Sequence, residues 1–318
     1  MSAASPIVSI IFAVTGAGYE SKLETAVKSI RNQTISPEII ISEYCHRPLY
    51  ADFARQNKIS YVPFNVSGKF KPGKFNIGAA RNAGICCATG KWIYSSDADV
   101  VYPLPDFFEK LLDISKGHDA LIFPPMKRVQ ENFVDTFLRR YEQLDFSDVP
   151  PNDILSVQDG KLKPPTDNEI HTEFNSKRYV TFTGDYKEYR AHLLRHRLRQ
   201  FSPWKPTFHY GGIMAPRELF VRVGGYCERF SGWGADDVDM IWKLEGSAKV
   251  LELCRSDFKS FVFHLDHRWP YYSRFRAEKN RFIHKYRKRR GIESAIAQDR
   301  EKLKKTFELA KRNFIPAL

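Results

Sequence analysis

Apolar residues in the early part of the chain follow two alternating periods. Pro6 to Val14 is apolar at both of its alternating sets of positions, as a strand covered on both faces requires. From Glu20 the apolar residues Leu23, Ala26, Val27 and Ile30 recur at helical spacing, which predicts an amphipathic helix ending near Arg31-Asn32-Gln33. Glu38 to Glu43 is a second apolar run and closes on an acid. Strand, helix, strand in this order predicts a βαβ unit and hence a parallel sheet with right-handed crossovers. Ile59 to Val62 reads as a third, short strand. Lys74 to Gly90 is rich in small residues, which predicts a helix packed close to the sheet with Gly90 as its C-cap. It feeds the run Lys91 to Val101, whose aromatic and β-branched content predicts a buried strand that ends in two carboxylates, Asp97 and Asp99.

Past Asp106 the positions Phe107, Phe108, Leu111 and Leu112 predict a helix, and Ala120 to Phe123 a strand stopped by Pro124-Pro125. Between Met126 and Pro206 regularity falls away, interrupted by Pro150-Pro151, Pro164-Pro165 and Pro203. There Tyr179, Phe182, Tyr186, Tyr189 and Trp204 interleave with Arg190, Arg195 and Arg197. Such interleaving fits an ordered insertion over a substrate, or stacking and phosphate contacts to nucleic acid. Tyr210 to Tyr226 reads as a short strand, a helix from Pro216 and a glycine pair. After Gly232-Trp233-Gly234, the acids Asp236 and Asp237 open a further helix, where the dipole favours carboxylates. Phe258 to Phe263 predicts a strand that ends at His264. Ile292, Ile296, Leu303, Phe307, Ala310 and Phe314 form a helical apolar stripe, suited to packing on the core, holding a partner chain or lying on an anionic membrane.

Composition bounds the reading. With 318 residues, 42% hydrophobic and 14% aromatic, the chain can bury the core of one large or two ordinary domains. It lacks the ~20 uninterrupted apolar residues of a membrane span, and Ile7 to Val14 has neither a basic flank nor a signal-type cleavage site, so a cytoplasmic location is expected. Five cysteines without a CxxC pair point to reduced thiols and away from zinc. The net charge of +13 calls for an anionic partner: nucleic acid, a membrane surface or a phosphorylated substrate. The charge concentrates between Arg274 and Arg290, where Glu278 is the only acid.

Asp97 and Asp99 stand where open α/β sheets bind ligands, beyond the carboxyl end of a strand. Paired carboxylates repel unless a cation or proton neutralises them, and oxygen donors suit hard divalent ions that also hold phosphates. An ordinary acidic turn is the competing reading. Arg81 is the charged residue that close packing of the small-residue helix does not call for; a guanidinium near two metal-binding carboxylates makes sense if a diphosphate lies between them. Gly16 and Gly18 lack the remainder of a phosphate-loop pattern and read as a turn. Glu43 falls where doubly wound folds place a nucleoside contact, and a capping role fits it equally.

At these residues the chain resembles a family. The βαβ opening with an acid after the second strand, then Asn76-Ile77-Gly78-Ala79-Ala80-Arg81-Asn82-Ala83-Gly84, then Thr89-Gly90-Lys91-Trp92-Ile93 leading to Asp97-Ala98-Asp99, is similar to the GT-A fold nucleotide-sugar glycosyltransferases of the family 2 type, over Val8 to Pro103. The resemblance implies a donor site of Thr15, Glu43, Arg81, Asp97, Ala98 and Asp99, joined by Gly211 and Gly212. The sequence departs from the family at Ser42-Glu43-Tyr44, where Asp-Asp or Asp-Gly is more common. Further on, Gly224-Gly225-Tyr226, Glu228, Phe230 and Gly232-Trp233-Gly234-Ala235-Asp236-Asp237 resemble the acceptor-side motif of inverting galactosyl- and N-acetylhexosaminyl-transferases and of bacterial capsule polymerases, which usually show Glu-Asp in place of Asp236-Asp237. This implies Asp237 as general base and Asp236, Trp233 and Gly232 on the acceptor. It also implies Asp99 and His264, with His267 second, as ligands of Mn2+ or Mg2+; Trp269 to Tyr272, which follow, are expected to form a lid over the nucleotide.

The expectation is therefore an α/β protein of GT-A, Rossmann-like type, with a mostly parallel central sheet flanked by helices and a C-terminal helical extension. Residues 1–125 would form the nucleotide-sugar half, 126–272 the acceptor and base half of the same domain, and 273–318 a basic amphipathic tail. The expected reaction is inverting, metal-dependent transfer of a hexose or N-acetylhexosamine from a UDP-linked donor to a glycan or lipid-linked glycan. The basic tail would hold the protein at the inner face of the membrane, and nucleic acid is not the expected partner. A nucleotidyltransferase would also need an acidic pair and metal but has no use for Gly232 to Asp237; a basic nucleic-acid-binding protein is the non-enzymatic competitor.

Overall fold

The computed structural model describes residues 7–65, 75–150, 154–163, 172–174, 177–179, 208–267 and 273–317. The first half runs β1 (Val8–Val14), α1 (Glu20–Arg31), β2 (Glu38–Cys45), α2 (Ala51–Gln56), β3 (Ser60–Asn65), α3 (Ile77–Cys87), β4 (Trp92–Ser96), β5 (Val100–Val101), α4 (Phe107–Ser115) and β6 (Ala120–Ile122). There follow β7 (Met126–Val129), α5 (Glu131–Arg140), β8 (Ile154–Gln158), β9 (Lys161–Lys163), β10 (Thr172–Phe174) and β11 (Lys177–Tyr179). The chain closes with β12 (Ile213–Pro216), α6 (Arg217–Arg222), α7 (Asp236–Glu245), β13 (Val250–Glu252), β14 (Val262–Leu265), α8 (Arg274–Arg290) and α9 (Ile292–Asn313).

A seven-stranded sheet in the order β13-β6-β12-β4-β1-β2-β3 forms the centre. It is parallel except for β12, which runs against both β4 and β6. Every residue of β1 is buried, because one apolar cluster lies on each face: Leu23, Val27 and Phe107 from α1 and α4 on one, Ala83, Phe220, Leu244 and Ile296 from α3, α6, α7 and α9 on the other. The small residues of α3 have a steric reason. A Cβ on Gly84 would stand 2.5 Å from Ile11 Cγ2, so only glycine lets the helix approach β1 this closely. The helix ends at Ala88 and not at Gly90, whose N–H instead donates to Ser9 Oγ at 2.8 Å.

A smaller sheet, β5-β14-β7-β8-β9, rests on a third cluster that includes Val129, Phe137, Leu155 and Phe263. Order thus begins at Met126, where periodicity alone shows none. β14 both starts and ends later than the apolar run suggests, running to Leu265, so His264 lies inside the strand, paired with Val100 and Arg128. β2 likewise runs to Cys45, placing Glu43 within the strand opposite Pro63 of β3. Strand ends are set by the partner strand, which local composition does not report.

The stripe on α9 packs on the core. Ile296 and Ala310 are buried with Cys86 and Val62, and Phe307 and Phe314 pack against the same cluster. Beyond the helix, Ile315 exchanges backbone hydrogen bonds with Tyr61 at 2.8 and 2.9 Å. The C-terminal helices are part of the body of the fold, and α9 leaves no apolar face over for a membrane. The aromatic stretch from Phe182 to Trp204 and the expected lid Trp269 to Tyr272 lie outside the described residues.

Candidate active site

Arg81 on α3 is the hub. Its Nη2 donates to Asp97 Oδ1 at 2.9 Å, and its Nη1 donates to Asp236 Oδ2 at 2.7 Å and to Asp237 Oδ1 at 2.5 Å. One guanidinium thus joins the residue after β4 to the first turn of α7, across 155 positions of sequence for the Asp236 pair. The ring of Tyr226 backs the guanidinium, 4.9 Å from its carbon. On the far side of Asp97, Oδ2 lies 3.0 Å from His209 Nε2. Gly211 closes over this contact: a Cβ there would stand 2.8 Å from Asp97 Oδ2 and 3.2 Å from both Arg81 Nη2 and His209 Nε2. Gly212 is similarly tight against His209 and Pro124.

Three carboxylates share one guanidinium, and the shares are unequal. Burial alone would raise the Asp97 carboxyl, but the His209 hydrogen bond and the Arg81 charge outweigh it and hold Asp97 at about 2. Burial also raises Asp237, and Asp236 and Asp97 add to it against the pull of Arg81, so Asp237 is pushed up to about 8. Asp236 moves up for the same main reason. Of the two, Asp237 is the more reachable, with 21% of its side chain exposed against 10% for Asp236. A carboxylate that is reachable and binds a proton near neutral pH suits general-base work.

The loop before α7 is held in a left-handed backbone path. Gly232, Gly234 and Ala235 all have positive φ, at 73°, 98° and 72°. Gly232 N–H donates to Phe75 O at 2.8 Å, and Trp233 packs edge-on against the Phe75 ring with centroids 5.6 Å apart. From α8, the buried Asn280 amide donates to the carbonyl oxygens of Ser231, Trp233 and Gly234 at 3.2, 3.1 and 3.0 Å.

Asp99 faces a different set of groups. Its Oδ2 lies 2.8 Å from His267 Nε2 and 3.6 Å from His264 Nε2, while its buried Oδ1 has no hydrogen-bond partner among the described residues. Burial would raise this carboxyl, yet His264, His267 and the nearby Lys22 hold it far below the carboxylate range. Backbone register brings these residues together: His264 pairs with Val100, and Leu265 N–H donates to Asp99 O at 2.8 Å. Asp266 Oδ1 sits 3.1 Å from His264 Nδ1 and also binds Arg128, fixing the imidazole. One carboxylate with an unpartnered oxygen and two imidazoles make a donor set that fits Mn2+.

Comparisons with known proteins place the chain in a family. Residues 9–184 match the profile described as glycosyl transferase family 2. The chain belongs to that family. Residues 195–268, which include Gly232 to Asp237 and His264, match the profile described as the N-terminal domain of galactosyltransferase. Among solved structures, a mannosyltransferase from Pyrobaculum calidifontis, in complex with GDP-Man and Mn2+, aligns with TM-score 0.50 and 14% identity over 98% of this chain and 74% of its own. TarS from S. aureus aligns with TM-score 0.43 and 14% identity over 81% of this chain, which spans 60% of that one. The Drosophila β1,4-galactosyltransferase 7 complex with manganese, UDP-Gal and xylobiose gives TM-score 0.41 and 11% identity over 82% of this chain and 71% of its own. No curated protein matches.

Not every residue expected at the donor site of this family 2 chain joins the cluster. Glu43 is fully buried, and its carboxylate accepts from Leu49 N–H at 3.0 Å, Tyr50 N–H at 3.3 Å and Tyr61 Oη at 2.5 Å. Its oxygens are thereby taken up inside the fold. Thr15 donates to Tyr44 O at 3.1 Å and ties the end of β1 to β2, and Ala98 is buried between the two acids. His209 and Asn280 were not anticipated. His209 immediately precedes Tyr210-Gly211-Gly212 but follows the irregular stretch, and Asn280 is one neutral residue in a run of cations; neither carries a sequence signal of its own.

Proposed function

We propose that this chain transfers a hexose or N-acetylhexosamine from a nucleoside-diphosphate donor, UDP-linked, to a hydroxyl of a glycan or lipid-linked glycan, with inversion. The observation that carries the reading is Arg81: a single side chain binds both Asp97 of the donor side and the Asp236-Asp237 pair of the acceptor side. Asp237 accepts the proton of the acceptor hydroxyl. The freed oxygen forms a bond to the anomeric carbon as the bond from that carbon to the diphosphate oxygen breaks, the electron pair leaving with the diphosphate on the opposite face. Asp236 and Trp233 orient the acceptor, and Gly211 and Gly212, close against Asp97 and His209, border the donor. Asp99 and His264, with His267 beside them, would hold Mn2+ or Mg2+, which when bound neutralises charge on the leaving diphosphate.

Because the Pyrobaculum relative was solved with GDP-Man and Mn2+, the test screens both uridine and guanosine sugars. A nucleotide sugar should raise the melting temperature with Mn2+ and not with EDTA, by mass action on the folded state. Turnover should release nucleoside diphosphate; pyrophosphate release would signal nucleotidyl transfer instead. Asp99→Asn should abolish the Mn2+-dependent shift, and kcat/KM should rise with pH toward a limb near 8, where Asp237 loses its proton. Stabilisation by no nucleotide sugar under any metal would overturn the reading.

A further inference from the structure

Among the described residues, α8 leaves a strongly basic, aromatic face uncovered. Phe275, Phe282 and Tyr286 are spaced seven and four residues apart, so they line one side of α8, and they are 79%, 69% and 44% exposed. Lys279, Lys285, Arg289 and Arg290 are exposed beside them, and Glu278 is the only acid of the helix. The opposite side, with Ala277, Asn280 and Arg287, is buried. We propose that this exposed face docks on an anionic membrane surface, rings in the headgroup boundary and cations against lipid phosphates. A helix with aromatics and Lys/Arg on its outward side, too polar to span, is the form that lies in a membrane interface, and no described helix is long and apolar enough to cross. A single-stranded nucleic acid would instead want a charged groove in which bases stack, and the crest of a helix is convex.

The placement has a consequence for substrate. Asn280 on the buried side of α8 holds the carbonyls of Ser231, Trp233 and Gly234. The membrane-facing crest therefore lies one helix diameter, about 10 Å, from the acceptor loop. A glycan anchored in the same surface by a lipid would arrive at Trp233, a point that rests on the glycosyl-transfer reading.

Flotation with phosphatidylcholine vesicles, with and without phosphatidylglycerol, tests the docking by itself. The protein should float only with the anionic lipid and be released by salt. Phe275→Ser with Phe282→Ser should weaken binding about tenfold or more, and each of Lys279→Ala and Lys285→Ala about fivefold. Melting temperature and turnover of a soluble acceptor should stay unchanged in all of these variants, so that failure of docking and failure of the transfer reading are distinguishable. Binding indifferent to phosphatidylglycerol, full binding by the double variant, or preferential capture of single-stranded RNA over vesicles at equal salt would overturn the proposal.

Discussion

Helix α7 carries acids into two environments one turn apart. Asp236 and Asp237 meet Asp97 around the single guanidinium of Arg81. Asp239 instead meets Asp299 around Arg287, whose Nε and Nη2 hold Asp239 at 2.9 and 3.0 Å and whose Nη2 holds Asp299 at 2.5 Å. There Lys243 Nζ adds a bond to Asp299 at 2.6 Å and His284 Nδ1 lies 3.0 Å from Asp239. The second cluster balances its charges and the first does not. Burial would raise Asp239, but its bonds from His284 and Arg287 pull it down, whereas Asp237 goes up. Cys227, Asp239 and Asp299 lie close enough together to suggest a metal site, but Arg287 and Lys243 already neutralise them. The same residue types on the same helix make a frame where cations match acids, and a reactive centre where an excess of acid remains reachable.

The sharpest way to break this comparison is to remove one charge from each cluster. Asp237→Asn should lower turnover about a thousandfold, within the range for losing a general base. It should not lower stability. The folded state binds the Asp237 proton more tightly than the unfolded chain does, so its ionisation destabilises the fold as pH rises from the ordinary carboxylate range through about 8. Asn removes that penalty, and melting temperature at pH 8 should be equal or higher. A parallel fall of melting temperature and turnover would make Asp237 a frame residue.

Arg287→Ala should do the opposite. It leaves Asp239 with His284 and Asp299 with Lys243 but takes the guanidinium from both, and losing one partner of a buried pair costs about 3–5 kcal/mol. Urea unfolding should show that loss while turnover per folded molecule holds, and an unchanged midpoint would sink the distinction.

What could be read from sequence follows the same division. Arg81, Asp97 and Asp99 stood out because they interrupt apolar or small-residue periodicity, and a charge that packing does not call for is visible locally. Asp237 stood out by its motif alone. Asp239 carries no such local signal, since its partners Arg287 and Asp299 come from two later helices whose meeting depends on tertiary packing. The α9 stripe announced an amphipathic helix, but periodicity says nothing of what covers it. His264 was reachable from its strand, yet its pairing with Val100, which brings it to Asp99, is a matter of register between distant segments.

Glu43 provides the finest test, because its acid has no matching cation among its described hydrogen-bond partners and yet is buried. Burial raises it, with the Tyr61 hydroxyl and the Leu49 and Tyr50 amides pulling partly back. If unbalanced charge alone defined a site, Glu43 would bind the nucleoside, as its place in the chain suggests. If access is also required, Glu43→Gln should leave nucleotide affinity unchanged, because Oε2 takes the bonds from all three donors and the amide oxygen can occupy that place. Only the 3.2 Å contact of Leu49 N–H to Oε1 would be lost, a cost of about 1 kcal/mol at low pH. The sign with pH is fixed by the raised proton affinity: wild-type stability falls as pH climbs from the ordinary glutamate range through the folded value, and the Gln variant lacks that fall. The stability gap between the two should therefore narrow or invert at neutral pH, readable from urea midpoints at pH 4.5 and 7.5. A constant gap together with weakened nucleotide binding would return Glu43 to the donor site.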